Sequence, residues 1–392
     1  MDEVTLLGEK KGHVARGGGG EVAGAVRVPV RSRAEEFAAP NTVKGYRSDL
    51  RRFRLWLARM DHLPPGQIDE GFLASPEFDT VPVSGQTVAD YLDLKAEETD
   101  PVTAERKFAA STIVRWVAAI GWEHLLQGWP SPVKDPAVVQ ALKVIRRTNA
   151  RPTKRAAPLL LDPLRKTLLS VDISGEQRGV LGARDVALIL FGWVGAFRGS
   201  ELAALQVKDV TVVPGEGLRV RVTRSKTDQE GRGGVKALPF GSNPVTCAPC
   251  AYTRWYRLLA AQGDRRDRAA LMRNVRENTF AVHVCREPLP GVLPGSVPLF
   301  RAVSTAGLIR DAPITGDTVS RAVKRRSHAA GIDVPQLSGH SLRAGFITEA
   351  LNAGASTAEV MRQSLHRDER TILIYDRENN PLKRNAVTRV RL

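Results

Sequence analysis

The chain has 392 residues, of which 42% are hydrophobic, and this length predicts two domains with sizeable cores plus a tail. Its 58 Lys and Arg against 42 Asp and Glu give a formal charge of +16. This charge favours a polyanionic partner, because Lys and Arg side chains neutralise nucleic-acid phosphates. No stretch approaches the apolar length of a membrane-spanning helix and no signal peptide is apparent, so we expect a cytoplasmic protein without a membrane partner.

The N-terminal residues 1–34 predict a disordered tail. They contain a glycine run at 17–20 and scattered charges, without a sustained helical or strand period. No catalytic group is predicted there.

A helix is predicted to begin at Asn41, whose side chain can cap it. Apolar residues recur at helical spacing and would face a core. These residues are Tyr46, Leu50, Phe53 and Leu57. A second stripe of the same helix is basic, and we interpret it as facing DNA, although a solvated surface is the alternative. The basic residues are Lys44, Arg47, Arg51 and Arg54.

Three more helices are predicted at about 86–98, 110–127 and 135–147. The second would turn Ile113, Val117 and Ile120 inward. Further candidate DNA contacts on these helices are Arg115, Lys143 and Arg146. Residues 35–150 therefore predict an all-helical DNA-binding domain.

A linker is predicted at 151–159, where Pro152 and Pro158 interrupt the periodicity around Lys154 and Arg155. Such a charged segment would be extended and solvated.

Residues 160–392 predict a mixed domain. An alternating strand is predicted at 218–224, and a partner strand begins at Lys236. Helices are predicted at about 162–170, 182–195, 246–262 and 317–330 and from 340 onward. The helix at 317–330 carries the candidate DNA contacts Arg321, Lys324 and Arg325. This domain should be mainly helical with a small antiparallel sheet.

Three cysteines, Cys247, Cys250 and Cys285, could form a zinc site with His283, because zinc favours four nitrogen or sulfur ligands in two closely spaced pairs. The alternation of His283 and Cys285 is, however, typical of a strand whose side chains fill a core. We interpret the cysteines as reduced structural thiols and predict no metal site.

Arg198 is a candidate phosphate clamp. It follows an apolar segment at 186–194, in a turn where Gly195 and Gly199 would let the backbone approach a ligand. Glu201, three residues on, could hold the guanidinium in one rotamer. The planar guanidinium donates two hydrogen bonds to phosphate and stays charged, although a surface Arg–Glu pair is the alternative.

Lys226 lies in the turn after the predicted strand at 218–224. At the tip of a hairpin it could protonate a departing 5′-oxygen, although a lysine there is ordinarily only solvated.

His340 and Arg343 are three residues apart where a helix is predicted to begin near Ser338 or Gly339. This spacing places both side chains on one face at the helix N-terminus, which favours anions. A polar cap is the alternative role.

His366 and Tyr375 would lie on opposite sides of one continuous helix, because nine residues are two and a half turns. For both side chains to face one phosphate, the chain must turn between them, so we predict His366 in a turn and Tyr375 on a short helix capped by Asp368. The phenol is a candidate nucleophile that needs nearby cations or a base to lose its proton, or else a plain core aromatic.

Taken together, these motifs resemble the tyrosine recombinases, the phage integrase family. The family pattern is Arg followed three residues later by Glu, a hairpin Lys, His-x-x-Arg, His or Trp, and a Tyr about nine residues on. The matching residues, in order, are Arg198, Glu201, Lys226, His340, Arg343, His366 and Tyr375. The resemblance extends over roughly 40–380.

The resemblance implies a helical core-binding (SAM-like) domain at 35–150 and an α+β catalytic domain at 160–392, closing around double-stranded DNA. It implies a homotetramer on two duplexes that carry specific recombination sites, and exchange of strands through a 3′-phosphotyrosine and a Holliday junction, without metal or cofactor. The expected setting is a bacterial mobile element or phage acting on nucleoid DNA.

Two alternatives use part of the same pattern. A type IB-like topoisomerase shares the chemistry but relaxes supercoils as a monomer without site preference. A non-catalytic DNA-binding regulator on this scaffold would have no need of Tyr375 or Lys226.

Overall fold

The computed structural model describes residues 40–64, 67–68, 82–151, 155–223, 233–262, 265–334, 336–377 and 387. The chain divides into two units, Met1–Pro152 and Thr153–Leu392. The tail predicted at 1–34 and the candidate Lys226 lie outside the described residues. Within those described ranges, no helix is both long and apolar enough to cross a membrane.

In the described part of the first unit, the regular secondary structure is helical apart from an isolated β-bridge between Thr99 and Arg106. Its α-helices are α1 (Pro40–Leu57), α2 (Gly85–Glu97), α3 (Ala110–Gln127) and α4 (Pro136–Thr148). The side chain of Ser84 accepts a hydrogen bond from the Thr87 amide to cap α2, and Gly128 ends α3 in a left-handed conformation. Because α1 begins at Pro40, Asn41 lies inside this helix, and the predicted cap is wrong.

The core of the first unit forms where the apolar stripes of its helices meet. Leu50 and Phe53 of α1 are buried, and Tyr46 packs beside them. The predicted inward-facing residues of α3 are all buried, namely Ile113, Val117 and Ile120. The amphipathic pattern of the sequence is therefore confirmed in both helices.

The second unit is built around a central helix. Its α-helices are α5 (Leu161–Leu169), α6 (Glu176–Val194), α7 (Gly199–Ala204), α8 (Ala248–Ala260), α9 (Arg265–Arg276), α10 (Gly316–Ala329), α11 (Gly339–Asn352), α12 (Thr357–Ser364) and α13 (Glu369–Arg377). The central helix is α6, in which all six residues at 186–191 are at most 1% exposed, as is typical of a helix covered on every side.

Leu159, from the segment predicted as a linker, packs into the core of the second unit. Its amide donates to the Ser341 carbonyl at 3.0 Å, and its carbonyl accepts from Trp193 Nε1 at 2.8 Å. A Cβ on Gly345 would lie 2.0 Å from the Leu159 carbonyl oxygen, so this close approach to α11 requires glycine.

A three-stranded antiparallel sheet consists of β1 (Val210–Val213), β2 (Gly217–Val222) and β3 (Gly234–Pro239), in that order. Val220 on β2 is paired with Val210 on one side and Lys236 on the other. A hairpin of β4 (Arg301–Val303) and β5 (Ile309–Pro313) follows α9. The predicted fold class, an all-α N-terminal part and a mainly helical part with a small antiparallel sheet, is confirmed.

Further features differ from the sequence predictions. Helix α9 was not predicted, because its many arginines leave few apolar positions, of which Leu271 and Val275 are buried. His283 and Cys285 lie in neither helix nor strand, so the predicted alternating strand is wrong.

Candidate active site

Arg198 lies at the end of a sharp turn that connects α6 to α7. Ala196 in this turn has a φ of 46°, a left-handed conformation. The Arg198 amide donates to Glu201 Oε2 at 3.0 Å, and its Nη1 donates to Glu201 Oε1 at 2.6 Å. Because Glu201 is buried, it fixes both the backbone and the guanidinium of Arg198, which is the contact that the sequence predicted.

The first turn of α11 carries His340 and Arg343. Ser338 caps the helix by accepting the His340 amide at 3.2 Å. The His340 side chain is exposed, whereas Arg343 is 1% exposed. Nη1 of Arg343 donates to the Ala196 carbonyl at 2.6 Å, so both arginines are joined to the same turn.

His366 lies in the turn between α12 and α13, as predicted, after Leu365 in a left-handed conformation. Its Nε2 is 2.9 Å from Nη2 of Arg343, and its Nδ1 is 2.7 Å from Ser364 Oγ. Because a guanidinium only donates, Nε2 accepts and the neutral ring carries its proton on Nδ1. Burial, together with the neighbouring Arg343, lowers the pKa of His366 to about 3.

Tyr375 lies on α13, whose start is stabilised by Asp368 Oδ1 accepting the Arg370 amide at 2.9 Å. Its ring is 6.5 Å from the His366 ring, centroid to centroid, and it packs against the apolar cluster around Ile347 and Ile372. An ionised Tyr375 would raise the pKa of Arg343, which places the phenol within electrostatic range of that guanidinium.

Positive charge is concentrated at this site. Burial, and then the charge of Arg198, lower the pKa of Arg343 to about 10. Although His340 is exposed, desolvation by its surroundings and the charges of Arg343 and Arg198 lower its pKa as well. A bound anion would act in the opposite direction on each pKa, so the site is electrostatically suited to a phosphate.

Lys236 on β3 is a site residue that the sequence reasoning missed. Its ammonium is fully buried and donates to the carbonyls of Gly195 at 2.8 Å, Ala196 at 3.3 Å and Gln363 at 3.0 Å. Burial lowers its pKa to about 7. Lys236 therefore connects two segments: the turn that carries Arg198, and the C-terminal end of α12, just before His366.

Strand alternation was the one available signal for Lys236. Lys236 and Leu238 are the two buried residues of β3, two positions apart on the inward face. A lysine in an inward position is unusual enough to mark a constrained site.

The candidate DNA contacts of the first unit differ in exposure and in their carboxylate contacts. The exposed ones are Lys44, Arg47, Arg51, Arg115, Lys143 and Arg146. Arg54 is half-buried, with its Nη2 3.2 Å from Glu123 Oε1. Arg115 donates two hydrogen bonds to Asp49, at 2.7 and 2.9 Å, so both guanidiniums already have a carboxylate partner.

On α10 of the second unit, Arg321 and Lys324 are exposed. The Arg325 side chain is also exposed, but its Nη2 is 2.7 Å from Oδ2 of the fully buried Asp185. Arg184 and Arg326 contact the same carboxylate. Arg325 is thus held in an ion-pair cluster inside the unit.

Comparison with known proteins gives one family. The sequence matches the model of the phage integrase family over residues 170–381. It is 28% identical to an "Integrase/recombinase xerD homolog" of Selenomonas ruminantium over 363 residues, which cover 92% of this chain and 88% of that protein. It is 24% identical to the recombinase Cre of Escherichia phage P1 over 267 residues, covering 66% of this chain and 67% of that protein.

Among solved structures, a crystal structure of XerA recombinase is similar at 16% identity and a TM-score of 0.36, covering 93% of this chain and 96% of that chain. The region matched by the family model includes every candidate residue from Arg198 to Tyr375.

Proposed function

The chain belongs to the phage integrase family, and we propose that it is a site-specific tyrosine recombinase that cleaves and rejoins DNA through a 3′-phosphotyrosine. The observation that carries the proposal is the environment of Arg343. This buried guanidinium has only the Ala196 carbonyl and the His366 imidazole as partners among the described residues, both of them neutral. A buried cation without a carboxylate is costly unless a ligand supplies the negative charge, and a DNA phosphate would do so.

In the proposed reaction, Arg198 and Arg343 bind the non-bridging oxygens of one phosphate and stabilise the charge that develops there. The Tyr375 hydroxyl attacks phosphorus, a bond between Oη and phosphorus forms, and the bond to the 5′-oxygen breaks. Attack by the 5′-hydroxyl of another strand reverses these steps and releases Tyr375.

Two proton transfers accompany each cleavage. We assign the phenolic proton to His340, because its lowered pKa keeps it neutral at pH 7, whereas Nε2 of His366 already accepts from Arg343. We assign protonation of the departing 5′-oxygen to Lys226, on the family pattern. Lys236 acts as a positioning residue, because its ammonium is fully engaged by three carbonyls.

A covalent-capture experiment tests the nucleophile. Nicked duplexes with randomised sequence are incubated with the protein, and the adducts that survive denaturation are sequenced. Cleavage near the nick releases a short strand that carries the 5′-hydroxyl, and its loss prevents rejoining. We expect one common motif, with the 3′-phosphate on Tyr375. Tyr375→Phe should form no adduct, and Tyr46→Phe, in the first unit, should form adducts like the unmodified protein.

Adducts that persist in Tyr375→Phe would refute the assigned nucleophile. Adducts without any common sequence, together with relaxation of supercoiled DNA, would indicate a topoisomerase-like enzyme instead.

We further propose that four protomers assemble on two duplexes, on nucleoid DNA in a bacterial cytoplasm, and that strands pass through a Holliday junction. Each protomer offers one Tyr375 and so cuts one strand, whereas full exchange between two duplexes requires four cuts. Mass measurement of Tyr375→Phe bound to the captured site should give four chains with two duplexes. A stable complex with a single chain would contradict the assembly.

The exposed cations of α1, α4 and α10 are proposed as backbone contacts to this DNA. Arg51→Ala should weaken binding similarly on all sequences and reduce the slope of log affinity against log salt by about one. Arg273→Ala, an exposed arginine on α9, is the control and should change neither. An unchanged slope in Arg51→Ala would remove α1 from the interface.

A further inference from the structure

Three cysteines and one histidine converge at the start of α8. Cys247 is the N-cap residue of this helix and Cys250 lies in its first turn, whereas His283 and Cys285 come from the segment between α9 and β4. The three sulfur atoms and a ring nitrogen of His283 all lie within 4.8 Å of one another.

We propose that these four side chains form a structural zinc site. With bonds of about 2.3 Å to sulfur and about 2.0 Å to nitrogen, a tetrahedral zinc site has ligand atoms about 3.5–3.8 Å apart. Sγ of Cys247 and Sγ of Cys285 are 3.9 Å apart, and Nδ1 of His283 is 3.2 Å from Sγ of Cys250 and 3.9 Å from Sγ of Cys285. These three distances are close to those of a tetrahedral ligand set, and no two of the four atoms are more than 4.8 Å apart.

Other roles for the cysteines fit the surroundings less well. All three cysteines are free, and the distance of 3.9 Å between Sγ of Cys247 and Sγ of Cys285 is far from the roughly 2.05 Å of a disulfide. The cluster makes a poor apolar core, because among the described residues Val284 is its one buried member besides the cysteines, and Phe240 packs at its edge. An exposed imidazole turned toward three buried thiols is typical of metal ligation.

Hydrogen bonds around the cluster match those of metal-bound ligands. Nε2 of His283 is 3.4 Å from the Ser242 carbonyl, to which its proton can be donated while Nδ1 faces the sulfurs. The Gly241 amide donates to Sγ of Cys247 at 3.4 Å. Both contacts come from the loop after β3 and would orient Cys247 and His283 as ligands.

An independent observation is the environment of Arg254, one helical turn beyond Cys250 on α8. Its side chain is 2% exposed, and neither Nε nor Nη1 has a hydrogen-bond partner among the described residues. A zinc ion with three thiolates and a histidine carries a net charge of about −1. The proposed site therefore provides the negative charge that this buried guanidinium lacks.

Four protein ligands leave no open coordination position, so the zinc is structural and takes no part in DNA cleavage. Its effect is to attach the segment at 277–300, which has no helix or strand, to the start of α8. Metal binding and phosphotyrosine formation are therefore separate properties, measured separately.

The test uses the full chain purified without chelator. Elemental analysis should give about one zinc per chain. After removal of zinc under reducing conditions, titration with Co²⁺ should produce thiolate-to-cobalt charge-transfer bands and the strong visible bands of a tetrahedral site, saturating at one equivalent and abolished by zinc. Hydrogen exchange at 277–300 should increase in the zinc-free protein and return to its original level when zinc is restored.

Matched substitutions locate the site. His283→Asn and Cys250→Ser should each lose most of the bound zinc, and His328→Asn, which changes an exposed histidine on α10, should retain it. Protein without zinc that also gives no tetrahedral cobalt spectrum would overturn the proposal, even if the variants do not fold. Full retention of zinc by both His283→Asn and Cys250→Ser would overturn the ligand assignment.

Discussion

The second unit contains two arginine clusters that differ in what neutralises them. In the first, the fully buried Asp185 accepts hydrogen bonds from Arg184 at 2.7 Å and from Arg326 at 2.8 Å, and Arg325 completes the cluster. Burial alone would raise the pKa of Asp185, but the three guanidiniums, with Arg184 foremost, hold it below its usual value. This cluster contains its own counter-ion.

In the second cluster, Arg343 is buried, as Arg184 is in the first. Its partners, however, are a carbonyl and a neutral imidazole. Among the described residues, the carboxylate that acts on the charge of Arg343 is Glu201, which is hydrogen-bonded to Arg198. The difference shows that burial of an arginine does not reveal its role, whereas the identity of its partners does. A buried guanidinium that is paired with a carboxylate within the chain contributes to the fold, and one without such a partner is available to a ligand.

The substitution Arg343→Met should show most clearly that the two arginine clusters have different roles. Loss of one phosphate clamp should slow formation of the covalent adduct by about 10³–10⁵-fold. Since the substitution also removes a buried charge without a carboxylate partner, we expect the free energy of unfolding to fall by less than about 1 kcal/mol or to rise. The rate of adduct formation is measured on the captured nicked substrate, and the free energy of unfolding is measured in urea. A decrease of more than about 3 kcal/mol in the free energy of unfolding would mean that Arg343 is structural.

Asp185→Asn should have the opposite profile. It leaves three guanidiniums around a neutral amide, and we expect a loss of about 3–5 kcal/mol in the free energy of unfolding. The cleavage rate per folded molecule should stay within a few fold of the original. Asp162→Asn is the control, because this exposed carboxylate contacts Arg165 at 3.4 Å and should contribute less than about 1 kcal/mol. Equal stabilities of the two variants would contradict a structural role for Asp185.

The two lysines can be separated by a substrate in which sulfur replaces the departing 5′-oxygen, because a thiolate leaves without protonation. Lys226→Ala should lose about 10²-fold or more on normal DNA and recover on the sulfur substrate. Lys236→Met should lose about 10²-fold through displacement of the Arg198 turn and should not recover. Recovery by Lys236→Met would make Lys236 the general acid.

Sequence periodicity and motif spacing were sufficient for most of the fold and for the outline of the site. The apolar stripes of α1 and α3 could be recognised because core residues repeat locally along the helix. The turn between His366 and Tyr375 followed from helix geometry together with the requirement that both side chains face one phosphate, since two residues nine positions apart do not lie on one face of a helix.

Contacts between distant segments were not predictable. Lys236 is bound by carbonyls of residues 195, 196 and 363, and no local pattern indicates a backbone partner so far away. The ion pair of Arg115 with Asp49 joins two helices, so the basic surface looked freer in sequence than it is. For the same reason, the alternation at 283–285 resembled a strand, because the sequence does not show that the start of α8 lies beside it.

The smallest predicted effect concerns the pH dependence of stability through His366. Its pKa is about 3 in the folded protein, against about 6.5 for an unfolded chain. Between these values the unfolded chain binds a proton that the folded site does not, so stability falls as pH decreases from about 6.5 toward 3 and is unaffected above that window.

Because His366 keeps some contact with solvent, we expect His366→Gln to reduce the stability loss between pH 7.5 and 4.5 by about 1–2 kcal/mol. His328→Gln, on the exposed face of α10, should follow the unmodified protein. Urea unfolding at the two pH values measures the difference. An identical loss in His366→Gln and the unmodified protein would mean that His366 binds a proton as readily in the folded chain, and that Arg343 has a charged rather than a neutral neighbour.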